Sequence, residues 1–158
     1  MNFNDDDQND SGFGGDSGGG EDITAILCRQ DQQLLIANAS QLSTCTYYYP
    51  GLDSDEAAKM LKKSPPGTFL IRNSRNDNFL YSLSVQTHRG PTSVRIAYQD
   101  GWFSFDCCER TRAAQFRSVL KLIDYYVELA RQGVKTYYLD DECKNINSIV
   151  ILNPLHSQ

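Results

Sequence analysis

The chain of 158 residues contains no apolar run approaching the roughly 20 residues that a membrane-crossing helix needs. Its N-terminus also has no basic segment followed by an apolar one, so secretion is not expected. Both absences point to a cytoplasmic protein without a membrane span. Cysteine shows no framework: Cys28, Cys45, Cys107, Cys108 and Cys143 form an odd set without a C-x-x-C pair, which fits reduced thiols. Neither His88 nor His156 has the spaced cysteine or histidine neighbours of a zinc site. No metal and no cofactor are expected. A phosphatase loop would place an arginine six positions after its cysteine, but Ala113 and Ala114 follow Cys107 and Cys108 at that distance. A cysteine nucleophile would also lack a base, since His88 falls in a hairpin turn and His156 near the last residue. The chain is expected not to be an enzyme.

Positive charge is not in excess either. Fifteen basic and 20 acidic residues give a net charge of −5. Residues 1–22 hold seven of the acids, six of the 11 glycines and no Lys or Arg, leaving 15 basic against 13 acidic residues in the remainder. That balance excludes a general nucleic-acid binder, which would carry a strongly basic face. It leaves room for one local anion site. The composition of residues 1–22 predicts a disordered acidic, glycine-rich tail.

Beyond the tail the chain is rich enough in apolar residues for one domain. Residues 23–46 carry Ile26, Leu27, Leu34, Leu35, Ala39 and Leu42 near helical spacing, predicting a helix from about Asp31 to Leu42 that docks on the remainder of the domain. Asp53 can cap a second helix, with Glu56 closing a capping box and Leu52 stapling to Ala57; Ser64-Pro65-Pro66-Gly67 ends it. Four short strands come next: Gly67–Asn73, Phe79–Gln86, Ser93–Tyr98 and Trp102–Phe105. Their short connections predict antiparallel neighbours. Phe116, Val119, Leu120, Ile123, Tyr126, Val127 and Ala130 mark a helix over residues 115–131, closed by Gly133. A polar loop then leads to a last strand, Ile149–Leu152. The expected fold class is α+β, a central antiparallel sheet flanked by two helices, with an N-terminal helical extension.

Arg72 breaks the apolar strand Thr68-Phe69-Leu70-Ile71. Alternation points it to the same face as Leu70, a covered face where an unpaired charge costs several kcal/mol. Two explanations are open: an internal Asp or Glu, or an anion supplied from outside. Ser74 and Arg75 open the next loop with a hydroxyl, a guanidinium and backbone N–H groups, and no acid follows until Asp77. Arg95, two strands over, can reach the same face. Such a cluster suits a phosphate dianion better than a carboxylate.

Residues from about Tyr47 to Leu155 resemble a Src-homology-2 domain. The likeness is carried by Tyr47-Tyr48-Tyr49, Glu56-Ala57, the run Gly67-Thr68-Phe69-Leu70-Ile71-Arg72-Asn73-Ser74, and Leu83-Ser84-Val85. Gly90-Pro91-Thr92-Ser93-Val94-Arg95-Ile96 with Tyr98-Gln99-Asp100-Gly101, and Leu122-Ile123-Asp124-Tyr125-Tyr126-Val127, resemble the cytokine-inducible branch of the suppressors of cytokine signalling. The resemblance implies a phosphotyrosine-binding domain over residues 47–156, with Arg72 holding the phosphate and Ser74 and Arg75 adding donors. It also implies that Thr87 and Arg95 complete the pocket, Arg95 standing where many relatives have histidine. Residues after the phosphotyrosine would enter a second groove between the Cys107–Ala114 and Gln132–Ser148 loops. The sequence departs from the family pattern at Tyr47, Tyr49 and Asn73. Ser54 stands where many relatives have a phosphate-contacting arginine. No ligase-recruiting box follows Leu155, so a ubiquitin-ligase link requires one beyond Gln158. The implied function is binding to phosphotyrosine peptides of cytokine receptors or their kinases, and non-catalytic negative regulation of cytokine (JAK-STAT) signalling. A general phosphotyrosine adaptor for growth-factor receptors is the alternative.

Overall fold

The computed structural model describes residues 23–106, 114–139 and 146–157. Helix α1 (Ile23–Ser43) is followed by α2 (Ser54–Leu61) and four strands, β1 (Thr68–Asn73), β2 (Tyr81–Thr87), β3 (Gly90–Gln99) and β4 (Trp102–Phe105). Then come α3 (Val119–Arg131), a hairpin of β5 (Thr136–Leu139) and β6 (Ile146–Ile149), and the short β7 (Asn153–Pro154). The main sheet has the order β4-β3-β2-β1-β7. Its β1–β4 part is antiparallel throughout, as the short turns require. β7 adds a parallel edge beside β1.

Strand alternation divides the core in two. Phe69, Ile71, Leu83, Val85, Val94 and Ile96 pack with Leu122, Ile123 and Tyr126 of α3 in the larger cluster. Leu70 packs instead with Ala57 and Leu61 of α2. β1 is therefore buried on both faces, as its uninterrupted apolar run predicts. Its remaining edge is covered too: Tyr48 bridges Ile71, and Leu155 N–H donates to Phe69 O at 2.8 Å.

Asp53 caps α2, its carboxylate accepting from Glu56 N–H at 2.8 Å, and Leu52 packs on the Ala57 cluster. Helix α1 begins earlier than Asp31 and runs for 21 residues. Docking supplies what its polar sequence lacks alone. Leu42 is buried, and Asn38 reaches from α1 to the start of α3. There its amide donates to Arg117 O (3.0 Å) and accepts from Val119 N–H (2.9 Å). Tyr98 donates to Asp31 further up the helix.

The C-terminal part departs from the sequence reading. The stretch Gln132–Ser148, read as loop, contains the β5–β6 hairpin. The last strand is not Ile149–Leu152: β6 ends at Ile149, Ile151 is buried in the core, and pairing with β1 falls at Asn153–Pro154. Backbone reach decides this register. Leu152 and Asn153 N–H both meet Gly67 O, at 2.8 and 3.2 Å, and Pro154 sits at an edge, where a missing N–H is tolerated. The segment 1–22, with its predicted acidic tail, lies outside the described residues.

Candidate functional site

Arg72 leaves β1 on the α2 face, beside Leu70. The register Arg72↔Ser82↔Arg95 and Leu70↔Ser84↔Ser93 places Ser82, Ser84, Ser93 and Arg95 on that same face. Arg72 is only 5% exposed. Its Nε–H donates to Ser84 Oγ at 3.0 Å, Nη1 to Asn73 O at 3.3 Å and Nη2 to Ser93 Oγ at 3.3 Å. The two serine hydroxyls are themselves 3.0 Å apart.

Guanidinium carries five N–H donors in a fixed planar fork. Those three hydrogen bonds use three of the five donors and leave one N–H on each terminal nitrogen. All three acceptors are neutral, and among the described residues no carboxylate forms an ion pair with Arg72. Burial lowers the Arg72 pKa, Asp53 at the α2 N-terminus opposes that shift, and the positive charge of Arg75 adds to it. The charge persists, because arginine stays protonated at any physiological pH. A buried, charged guanidinium with two donors left over and no ion-paired carboxylate among the described residues is suited to an oxyanion from outside.

The other predicted residues take different places. Ser74 opens the loop after β1, its hydroxyl accepting from Asn76 N–H (3.1 Å) and donating to Asn76 O (3.4 Å). Arg75 is exposed, and its Nη2 donates to Gly51 O at 3.3 Å, tying the loop to the entry of α2. Arg95 shares the Arg72 face two strands away, about 10 Å between backbones at ordinary strand spacing. Its guanidinium carbon lies 5.3 Å from the Phe79 ring centroid. Thr87 ends β2, paired with Gly90. Its hydroxyl is committed to the β2–β3 turn, donating to Gly90 O (2.7 Å) and accepting from Arg89 N–H (3.1 Å). Ser84 and Ser93, which hold the guanidinium, were not among the predicted donors. Residues 107–113 and 140–145, part of both predicted walls of the second groove, lie outside the described residues, as do Cys107 and Cys108. No group that could hold a metal ion occurs among the described residues.

Residues 47–126, just over half of the chain, match the SH2 domain family. The chain belongs to that family. Mouse "Suppressor of cytokine signaling 2" is 44% identical over 93 residues, 58% of this chain and 47% of the relative. Rat "Cytokine-inducible SH2-containing protein" is 39% identical over 110 residues, 68% of this chain and 43% of the relative. The likeness to the suppressors of cytokine signalling read from the motifs is thus found over 93–110 residues of the chain. The chain spans less than half the length of these curated relatives. Among solved structures, the SH2 domain of the Monosiga brevicollis CRK/CRKL homolog superposes with a TM-score of 0.51 at 20% identity, covering 72% of this chain and 88% of the other. That supports the fold.

Proposed function

We propose that this SH2 domain binds tyrosine-phosphorylated peptides of cytokine receptors or their associated kinases, and acts in the cytoplasm as a non-catalytic negative regulator of cytokine (JAK-STAT) signalling. One observation carries the binding reading: a buried guanidinium whose acceptors among the described residues are all neutral oxygens, with two N–H donors left over. Phosphate brings about −1.5 to −2 charges at pH 7 and several acceptor oxygens, so phosphorylation converts a tyrosine into the missing counter-ion. Arg72 takes two phosphate oxygens. Ser74 and Arg75 contribute from the loop after β1, and Arg95 from β3. Thr87 holds the turn beyond them. Binding of this kind moves no covalent bond, and occupancy of a receptor phosphotyrosine excludes other readers of it, which favours attenuation. The names of the relatives support the same assignment. A ubiquitin-ligase link would need a recruiting segment beyond this chain.

Titration of matched phosphorylated and unphosphorylated receptor peptides tests the reading. The phosphorylated peptide is expected to bind and Arg72→Ala to weaken it by about 100-fold or more, as two charge-assisted hydrogen bonds are lost. Equal affinity for both peptides, or an unaffected Arg72→Ala, would refute it. In cytokine-treated cells the wild-type chain should lower STAT phosphorylation and the variant should not.

A further inference from the structure

Phe79 has no part in the site as assigned above, yet its ring is the aromatic partner of Arg95. A separation of 5.3 Å between guanidinium carbon and ring centroid lies within the range in which the ring quadrupole attracts a cation. The ring rides on a closed scaffold. Ser74 N–H donates to Leu80 O at 2.9 Å, and Phe79 N–H donates to Asn76 O at 3.0 Å, so both ends of the 74–80 loop are pinned. Within that loop Phe79 is half-buried while the adjacent Leu80 is exposed. The loop that carries Ser74 and Arg75 thus also carries the ring against which Arg95 rests.

A long arginine side chain loses rotamer freedom when it is fixed in one geometry. Where a neighbouring ring restrains it beforehand, less of that loss falls on binding. Resting on the phosphotyrosine reading, we propose that Phe79 is a positioning residue for the ligand. Its ring holds the Arg95 guanidinium at the rim of the Arg72 site, so that an incoming phosphotyrosine meets two ordered cations, one at the floor and one at the rim. The same contact links the order of the 74–80 loop to the placement of β3.

The test uses the whole chain and two probes, phenyl phosphate and a tyrosine-phosphorylated receptor peptide, titrated by calorimetry. Phe79→Leu keeps an apolar side chain but removes the ring, and is expected to weaken both probes by about three- to tenfold, the size of a partly desolvated cation–π contact. Phe79→Tyr restores the ring and should restore affinity to within about twofold of wild type. In an Arg95→Ala background Phe79→Leu should change affinity by less than about twofold, since the ring then has no cation to hold. The Arg95 Nε–H resonance of the ligand-free protein should be ring-shifted in wild type and Phe79→Tyr and lose that shift in Phe79→Leu. Unchanged affinity in Phe79→Leu, or an equal loss with and without Arg95, overturns the proposal while leaving phosphotyrosine binding intact. Wild-type protein that binds neither probe overturns both readings together.

Discussion

Arg72→Met is expected to abolish phosphopeptide binding and, in the same protein, to stabilise the ligand-free fold. Arg72 is 5% exposed, and an ion taken out of water carries an effective penalty of several kcal/mol. The lowered pKa of Arg72, caused first by burial, has the same origin. Opposing it are three hydrogen bonds to neutral oxygens, at 3.0, 3.3 and 3.3 Å, which at about 1 kcal/mol net each offset about 3 kcal/mol. Their removal strands no partner. Ser84 and Ser93 keep each other at 3.0 Å, and Asn73 is exposed, so its carbonyl finds water. Methionine fills the volume of the arginine stem with adaptable apolar atoms. Apolar replacement of a buried ion pair is often neutral to stabilising by about 1–4 kcal/mol; Arg72, with no ion-paired carboxylate among the described residues to offset its desolvation, should gain about 1–2 kcal/mol on the same replacement. Urea denaturation without peptide measures it, with the m-value unchanged. With peptide at 100 times its Kd the order should reverse, because the wild type gains about 2.7 kcal/mol that the variant does not. A variant less stable than wild type by more than about 1 kcal/mol would refute the reasoning, since the guanidinium would then be a strut of the fold rather than an unfilled receptor for an anion.

Three further outcomes are set by the geometry. Asn38→Ala strands the buried Val119 N–H and the Arg117 carbonyl, and should cost about 2–4 kcal/mol in urea denaturation, at about 1–3 kcal/mol per orphaned group. In Gly101→Ala the new Cβ would lie 2.1 Å from Arg117 Nη1 at φ +87°. That displaces the arginine from Gly101 O and from the Trp102 ring beneath it, and should lower stability by about 1–3 kcal/mol, visible as a drop in Tm. Hydrogen bonds from the α2 N-terminus hold the Asp53 pKa below its usual value. Its folded pKa is thus below its unfolded value of about 3.9, so the stability it confers is present above pH 4 and lost as pH falls through the folded value. Asp53→Asn keeps a capping oxygen and should flatten the acid limb of the stability profile, as measured by denaturation between pH 5 and 2.

Much of the site was legible because strand periodicity is a local property. Arg72 on the Leu70 face follows from counting by two, and burial of β1 on both faces follows from its apolar run. The α2 start was legible for a similar reason, since Asp53 and Glu56 form their contact within one turn. Ser84 and Ser93 were harder to see. Their approach to Arg72 depends on the cross-strand register of β1, β2 and β3, which the turn geometry fixes and the separate strands do not. The same register accounts for β3 beginning at Gly90, three residues before the apolar alternation shows. Family likeness groups Thr87 with the pocket, and its hydroxyl also closes the β2–β3 turn. At the C-terminal end, two residues of β7 pair because Leu152 reaches Gly67, just before β1, and Leu155 reaches Phe69. A two-residue strand containing proline carries no propensity signal of its own.

The union of β7 with β1, reinforced where Ser157 N–H donates to Thr46 O at 2.6 Å, bears on how the polypeptide is made. The strand that completes the sheet edge leaves the ribosome long after its partner, since Asn153 pairs with Thr68. A nascent chain halted before Asn153 would therefore leave the Gly67–Phe69 end of the β1 edge open to any extended neighbour, while Tyr48 already covers it at Ile71. Synthesis that pauses there should depend on chaperones more than synthesis that runs through Ser157.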